Sequence, residues 1–98
     1  MSFVQVIEFR TSDIESIKKT GQEWEQATAG KRTARRRVLT QDQHDPDRYL
    51  MMVFFDSYEA AMENSRLPET QAIAGRMMAL AEGPPVFHDL EVLEDRGL

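Results

Sequence analysis

Residues Tyr49 to Ser65 read YLMMVFFDSYEAAMENS, seven apolar residues in a row followed by a segment with helical spacing. Successive side chains of a strand point to opposite faces, so a half-buried strand should alternate apolar and polar. Here Tyr49, Met51, Val53 and Phe55 share one face, and Leu50, Met52 and Phe54 share the other. One face can be covered by helices of the same chain. The second needs another cover, and the chain is too small to supply it. With 98 residues it is the size of one domain, residues 1–98, and buries only about two-thirds of its unfolded surface.

Working outward, Phe3 to Phe9 reads as a first strand, with Phe3, Gln5, Ile7 and Phe9 on one face. Ser12 offers an N-cap, with Glu15 completing a capping box. The helix that follows carries Ile14, Ile17, Gly21, Trp24 and Thr28 at spacings of three and four, and Gly30 is placed to end it. Thr33 to Thr40 forms a second strand despite its three arginines, and QDQHDPDR is a hairpin loop. After the apolar strand, Asp56 or Ser57 caps a helix that must break before Pro68, because proline is tolerated only in a helix's first turn. Pro68 to Glu82 resumes the helix, and Val86 to Leu93 is the last strand.

The order is β-α-β-β-α-β with a broken second helix, which suits the ferredoxin-like α+β arrangement. All helices then cover one face of a four-stranded antiparallel sheet. A second copy is the simplest cover for the other face, since a two-fold contact reuses one patch. The expected assembly is a homodimer, sheet against sheet.

The stretch MMVFFDSYEAAMENSRLPE resembles the dimeric α+β-barrel superfamily, and within it the antibiotic-biosynthesis-monooxygenase-type domains. The resemblance implies a homodimeric barrel with a ligand cavity between sheet and helices in each subunit. It implies activities ranging from cofactor-free oxygenation of aromatic compounds to haem degradation and isomerisation. The haem-degrading branch uses an Asn on the first strand, and a Trp and a His on the later helical segment. This chain has Gln5 on that strand, its single Trp on the first helix and neither His on the second. The oxygenase branch sets Asn, Trp, Tyr and Arg around its cavity. Asn64, Trp24, Tyr58 and Arg66 supply these residue types at other positions, and no role is carried across.

Composition excludes several function classes. A net charge of −5 argues against nucleic acid and anionic membranes as partners. The absence of cysteine excludes disulfides and thiolate chemistry. No apolar run approaches the roughly 18 residues of a membrane span, and MSFVQVIEF does not read as a signal peptide. A cytoplasmic location is the expectation. No nucleotide loop, nucleophile elbow or metal motif is present, so no cofactor and no metal are expected.

His88 is the candidate catalytic residue. If Val86, His88, Leu90 and Val92 face the helices, its imidazole lies on the cavity floor, where it can move a proton near neutral pH. The competing reading is a histidine hydrogen-bonded for structure. That choice of face rests on the cost of burying Asp89 and Glu91 instead. Trp24, Tyr58, Asn64 and Arg66 are the candidate ligand-binding residues, the last two at the helix break. Their alternatives are core packing for the aromatics and capping of freed backbone groups for Asn64 and Arg66. Methionines 51, 52, 62, 77 and 78 suit either an adaptable cavity wall or plain core. Arg35, Arg36 and Arg37 suit an anion site or pairing with acids on a neighbouring strand, such as Asp89 and Glu91. His44, Asp45 and Asp47 suit turn chemistry in the hairpin loop. Two functions follow. One is a dimer that binds a small, largely apolar or aromatic ligand. The other is a cofactor-independent monooxygenase or isomerase acting on an aromatic substrate.

Overall fold

The structure is a computed structural model that describes residues 2–98. Strand β1 (Phe3–Arg10) leads to helix α1 (Ile14–Ala27), then to the hairpin β2 (Arg36–Gln41) and β3 (Arg48–Phe55). Helices α2 (Tyr58–Ser65) and α3 (Pro68–Leu80) and strand β4 (Val86–Glu91) complete the chain. The sheet order is β2-β3-β1-β4, with every neighbouring pair antiparallel. This is the ferredoxin-like arrangement with its second helix divided in two.

The division follows from Pro68. Leu67 is extended at φ −61° and ψ 131°, as steric pressure from a following proline requires, and Pro68 then opens α3. The caps differ in part from expectation. Asp13, not Ser12, caps α1, its carboxylate accepting the Ser16 N–H at 3.1 Å. Ser57 caps α2 by accepting the Ala60 N–H at 3.1 Å. Asp56 is left free to pair with Arg35 at 2.6 Å.

Register assigns the two faces of the sheet. Ile7 lies opposite both Met51 and Phe87, and Val6 lies opposite both Met52 and His88. The core contains Phe3 and Phe9 of β1, then Tyr49, Met51, Val53 and Phe55 of β3, packed with Ile17 of α1 and Ala61 of α2. Residues of the odd-numbered set therefore face the helices. Val4, Val6, Leu50, Met52, Phe54, Val86, His88 and Leu90 form the open face.

His88 is thus on the face away from the helices, the reverse of the expected placement. The expectation assumed that whichever set faced the helices would be buried. β4 is an edge strand, and all six of its residues are exposed. Asp89 and Glu91 face the helix side without being buried, and the Asp89 carboxylate accepts the Gln5 amide at 3.2 Å. His88 Nε2 stands 3.7 Å from Glu8 Oε1 on the open face. Glu8 is shared with the Arg48 guanidinium, which holds its carboxyl below the usual carboxylate range.

The basic run is paired with acids, though not those of a neighbouring strand. Arg35 meets Asp56, Arg37 meets Glu25 of α1, and Lys31 meets Glu69 of α3. In the hairpin loop the Asp42 carboxylate accepts the N–H groups of His44 and Asp45, and Asp45 pairs with Arg10. That segment is turn chemistry. No helix among the described residues is long and apolar enough to cross a membrane.

Candidate functional site

Between sheet and helices lies a cavity of about 120 Å³. Its floor is Gln5 and Ile7 of β1 with Met51 and Val53 of β3, and α1 and α3 roof it through Trp24, Ile73 and Met77. Carbon and sulfur dominate the walls, so the few polar groups that reach it decide what it can hold.

Asn64 is the most telling of these. It is the penultimate residue of α2 and only 6% exposed. Its Oδ1 is buried with no hydrogen-bond partner. A buried acceptor left unpaired costs about 1–3 kcal/mol. Asn64 also lines the cavity, and a turn about its side-chain bonds would present that acceptor to it.

Trp24 is 8% exposed, and its indole Nε1 donates to Thr70 Oγ1 at 2.9 Å. The bond ties α1 to the first turn of α3 and leaves the indole as cavity wall. The ion pair Arg76–Glu23 makes the same connection, and Lys31–Glu69 ties the loop after α1 to α3, both at 2.5 Å. Among α3 residues only Ile73 is buried, with Met77 and Leu80 packed against the core, so these polar ties add to a modest apolar contact.

Arg37 enters the cavity from β2. Its Nε and Nη2 donate to Glu25 Oε1 at 3.2 and 2.6 Å, while Nη1 meets only the Met51 sulfur, at 3.6 Å. Sulfur is a weak acceptor, so the Nη1 edge can still donate to an oxygen. The guanidinium lies over α1 at Gly21, where a Cβ would stand 2.6 Å from Nη1. A side chain at position 21 would push Arg37 out of this position.

The cavity therefore brings together two of the five sequence candidates, Trp24 and Asn64. Tyr58 is 52% exposed and packs edge-on against Phe3 at 5.6 Å. It lines a separate open groove with Glu59, Asp89 and Glu91. Arg66 is the exposed C-cap of α2, its backbone N–H bonded to the Met62 and Glu63 carbonyls, and it is outside the cavity wall. His88 is across the sheet. Sequence reasoning missed Arg37, Gln5 and Thr70 as cavity residues. The available signal was Gly21, a glycine on the buried stripe of a helix, which marks a close approach by another group.

No protein-family profile matches this sequence, and no curated protein is similar to it. Solved structures are similar in three dimensions. A proposed antibiotic biosynthesis monooxygenase from Nitrosomonas europaea superposes with a TM-score of 0.79 at 12% identity, over 98% of this chain and 94% of that one. A proposed enzyme of the same description from Caulobacter crescentus gives 0.80 at 14% identity, over 95% and 91%. SnoaB, a cofactor-independent oxygenase from Streptomyces nogalater solved as an asparagine-to-alanine variant, gives 0.81 at 12% identity, over 96% and 95%. At such identities the likeness is one of fold. The chain accordingly has the ferredoxin-like fold that these antibiotic-biosynthesis-monooxygenase-like structures share.

Proposed function

We propose that this chain binds a small, largely apolar aromatic molecule carrying a hydroxyl group, in the cavity between sheet and helices, as one half of a homodimer. The observation that carries the reading is Asn64, a cavity-lining residue whose Oδ1 is buried without a hydrogen-bond partner. A hydroxyl donated by a ligand would satisfy it. The surrounding methionines and Trp24 suit an aromatic ring, and the free Nη1 edge of Arg37 suits a second oxygen. The dimer is supported by the open face, where Val4, Val6, Leu50, Met52 and Phe54 lie beyond the reach of the chain's own helices.

A second reading is cofactor-independent oxygenation, favoured by the likeness in fold to SnoaB. There an electron-rich hydroxyarene would give its hydroxyl proton to solvent on entry, and its anion would pass one electron to dioxygen. The two radicals would join as a carbon-bound peroxide, and that peroxide would take a proton back and lose water to leave the quinone. Arg37 would hold the developing oxyanion, and the apolar walls would exclude water. Asn64 would orient the hydroxyl but take no proton, since an amide is not a base.

The test is titration with 1,3-dihydroxynaphthalene, which has both hydroxyls on one ring, followed by quenching of Trp24, the chain's single tryptophan. Saturable quenching that weakens tenfold or more in Asn64→Leu is expected. Quenching that is linear, or indifferent to Asn64, refutes the binding reading. Oxygen uptake above the buffer blank, lost in Arg37→Ala, separates the enzyme from the binding protein.

A further inference from the structure

A second cavity of about 110 Å³ lies beside the first, and Ile7, Met51, Ala74 and Met77 line both. The two differ in chemistry. Gln5, Arg37, Asn64 and Thr70 border only the first. The second adds Phe9, Ile17, Met78, Ala81, Pro85 and Phe87, with no side-chain oxygen or nitrogen among them.

The residues common to both chambers include Met51 and Met77, and methionine repacks with little strain because its chain is unbranched and has three rotatable bonds. Met77 is half-buried on α3, where Ile73 is the one buried residue. Each chamber alone is smaller than the roughly 300–1,000 Å³ of ligand sites, and joining them while moving methionine aside approaches that range. The second chamber also has an uncovered apolar mouth, with Met78 57% and Phe87 56% exposed.

We infer that the two chambers are one binding site divided by Met77, and that its ligand is elongated and amphipathic. An oxygen-bearing aromatic head sits at Asn64 and Arg37, and an unsubstituted hydrocarbon tail or ring lies between Met78, Pro85 and Phe87. The inference rests on the binding reading above for its head and extends it to the ligand's shape and polarity. The polar groups confined to one end fix the direction in which the molecule enters, and a ligand with polar groups at both ends is rejected by the desolvation cost of the second chamber.

The experiment is a series of 4-n-alkylphenols, from phenol to 4-hexylphenol, titrated against Trp24 fluorescence. Affinity should rise about threefold to fourfold per methylene until the tail chamber is full. Ala81→Phe, which fills that chamber, should abolish the chain-length increment while leaving phenol itself unchanged. Phe87→Ser, at a 56% exposed position on the edge strand, should reduce the increment as well, which keeps the test valid where Ala81→Phe disturbs α3. Asn64→Leu should weaken every member of the series by the same factor. Saturable quenching with no chain-length dependence, or an increment unaltered in both tail variants, overturns the two-chamber site and leaves the head site standing. Absence of saturable quenching by any phenol overturns the head site and this inference with it.

Discussion

Replacing Gly21 by alanine tests whether Arg37 occupies the cavity wall. The new Cβ would stand 2.6 Å from Arg37 Nη1, 2.9 Å from Cζ and 3.0 Å from Nη2, so the guanidinium must move. In an unobstructed helix interior the substitution gains about 1 kcal/mol from propensity alone. Here moving Arg37 gives up its two hydrogen bonds to Glu25. Glu25 is 44% exposed, so solvent screening holds that pair to about 1 kcal/mol or less. The two terms nearly cancel, and Gly21→Ala should change stability by no more than about 0.5 kcal/mol. In an Arg37→Ala background the obstruction is gone, and the same substitution should stabilise by about 1 kcal/mol. Urea unfolding of the four proteins, followed by circular dichroism, measures the difference. A coupling of about 1 kcal/mol exceeds the roughly 0.3–0.5 kcal/mol within which independent sites add. Equal stabilisation in both backgrounds would refute the contact, and with it the role of Arg37 in the cavity.

Three further outcomes are expected. Asn64→Leu, close to isosteric, removes the unpaired acceptor and should stabilise the ligand-free protein by about 1 kcal/mol in urea unfolding, and a loss of that size would mean Asn64 is satisfied. Met52→Asp should leave the circular dichroism spectrum intact while giving a single-subunit mass by light scattering, because Met52 is on the open face; an intact dimer would remove the proposed interface. Acid should destabilise the fold. Asp45 beside Arg10, Asp56 beside Arg35 and Glu69 beside Lys31 are all held below the usual carboxylate range, so their contribution is complete above the unfolded value of about 4 and is lost as pH falls through the folded values. Thermal melts should therefore show a falling Tm below about pH 4, less steeply at about 1 M salt, and a Tm that rises on acidification contradicts the sign.

Much of this architecture was readable because strand parity is a strict rule. Alternation within Tyr49 to Phe55 separates the core set from the open set, and Pro68 marks where the second helix divides. β4 was misread because both of its faces are mixed. Val86, His88 and Leu90 compete with Phe87, Asp89 and Glu91, and the burial cost that was to decide between them vanishes at an exposed edge. Tyr58 was misplaced for a related reason: α2 has eight residues and few apolar ones, too few to set the phase of its buried stripe. Trp24 was legible because α1 carries a long stripe at regular spacing, with Ile17, Thr20, Gly21 and Trp24 buried. Arg37 was not, because its partner Glu25 belongs to a helix and no strand register points to it.

The unbroken apolar run acquires a consequence from this arrangement. Met51 borders both chambers, and its sequence neighbour Met52 faces the opposite side of the sheet. On the proposed function one strand would serve ligand and assembly at once, with the two roles interleaved at a period of two. A polar substitution at an even-numbered position between Tyr49 and Phe55 reaches the open face alone, and one at an odd-numbered position reaches the core and cavity alone. A one-residue slip in register would exchange the two sets. Antiparallel pairing on both sides, with β1 and with β2, holds β3 against such a slip. The cavity and the open face are thus chemically separable but mechanically joined, because the floor of one is the reverse side of the other. Tightening the open face against a second copy would stiffen the floor beneath Asn64 and leave α3, tied by Trp24–Thr70, two ion pairs and a modest apolar contact, as the part of the wall that yields.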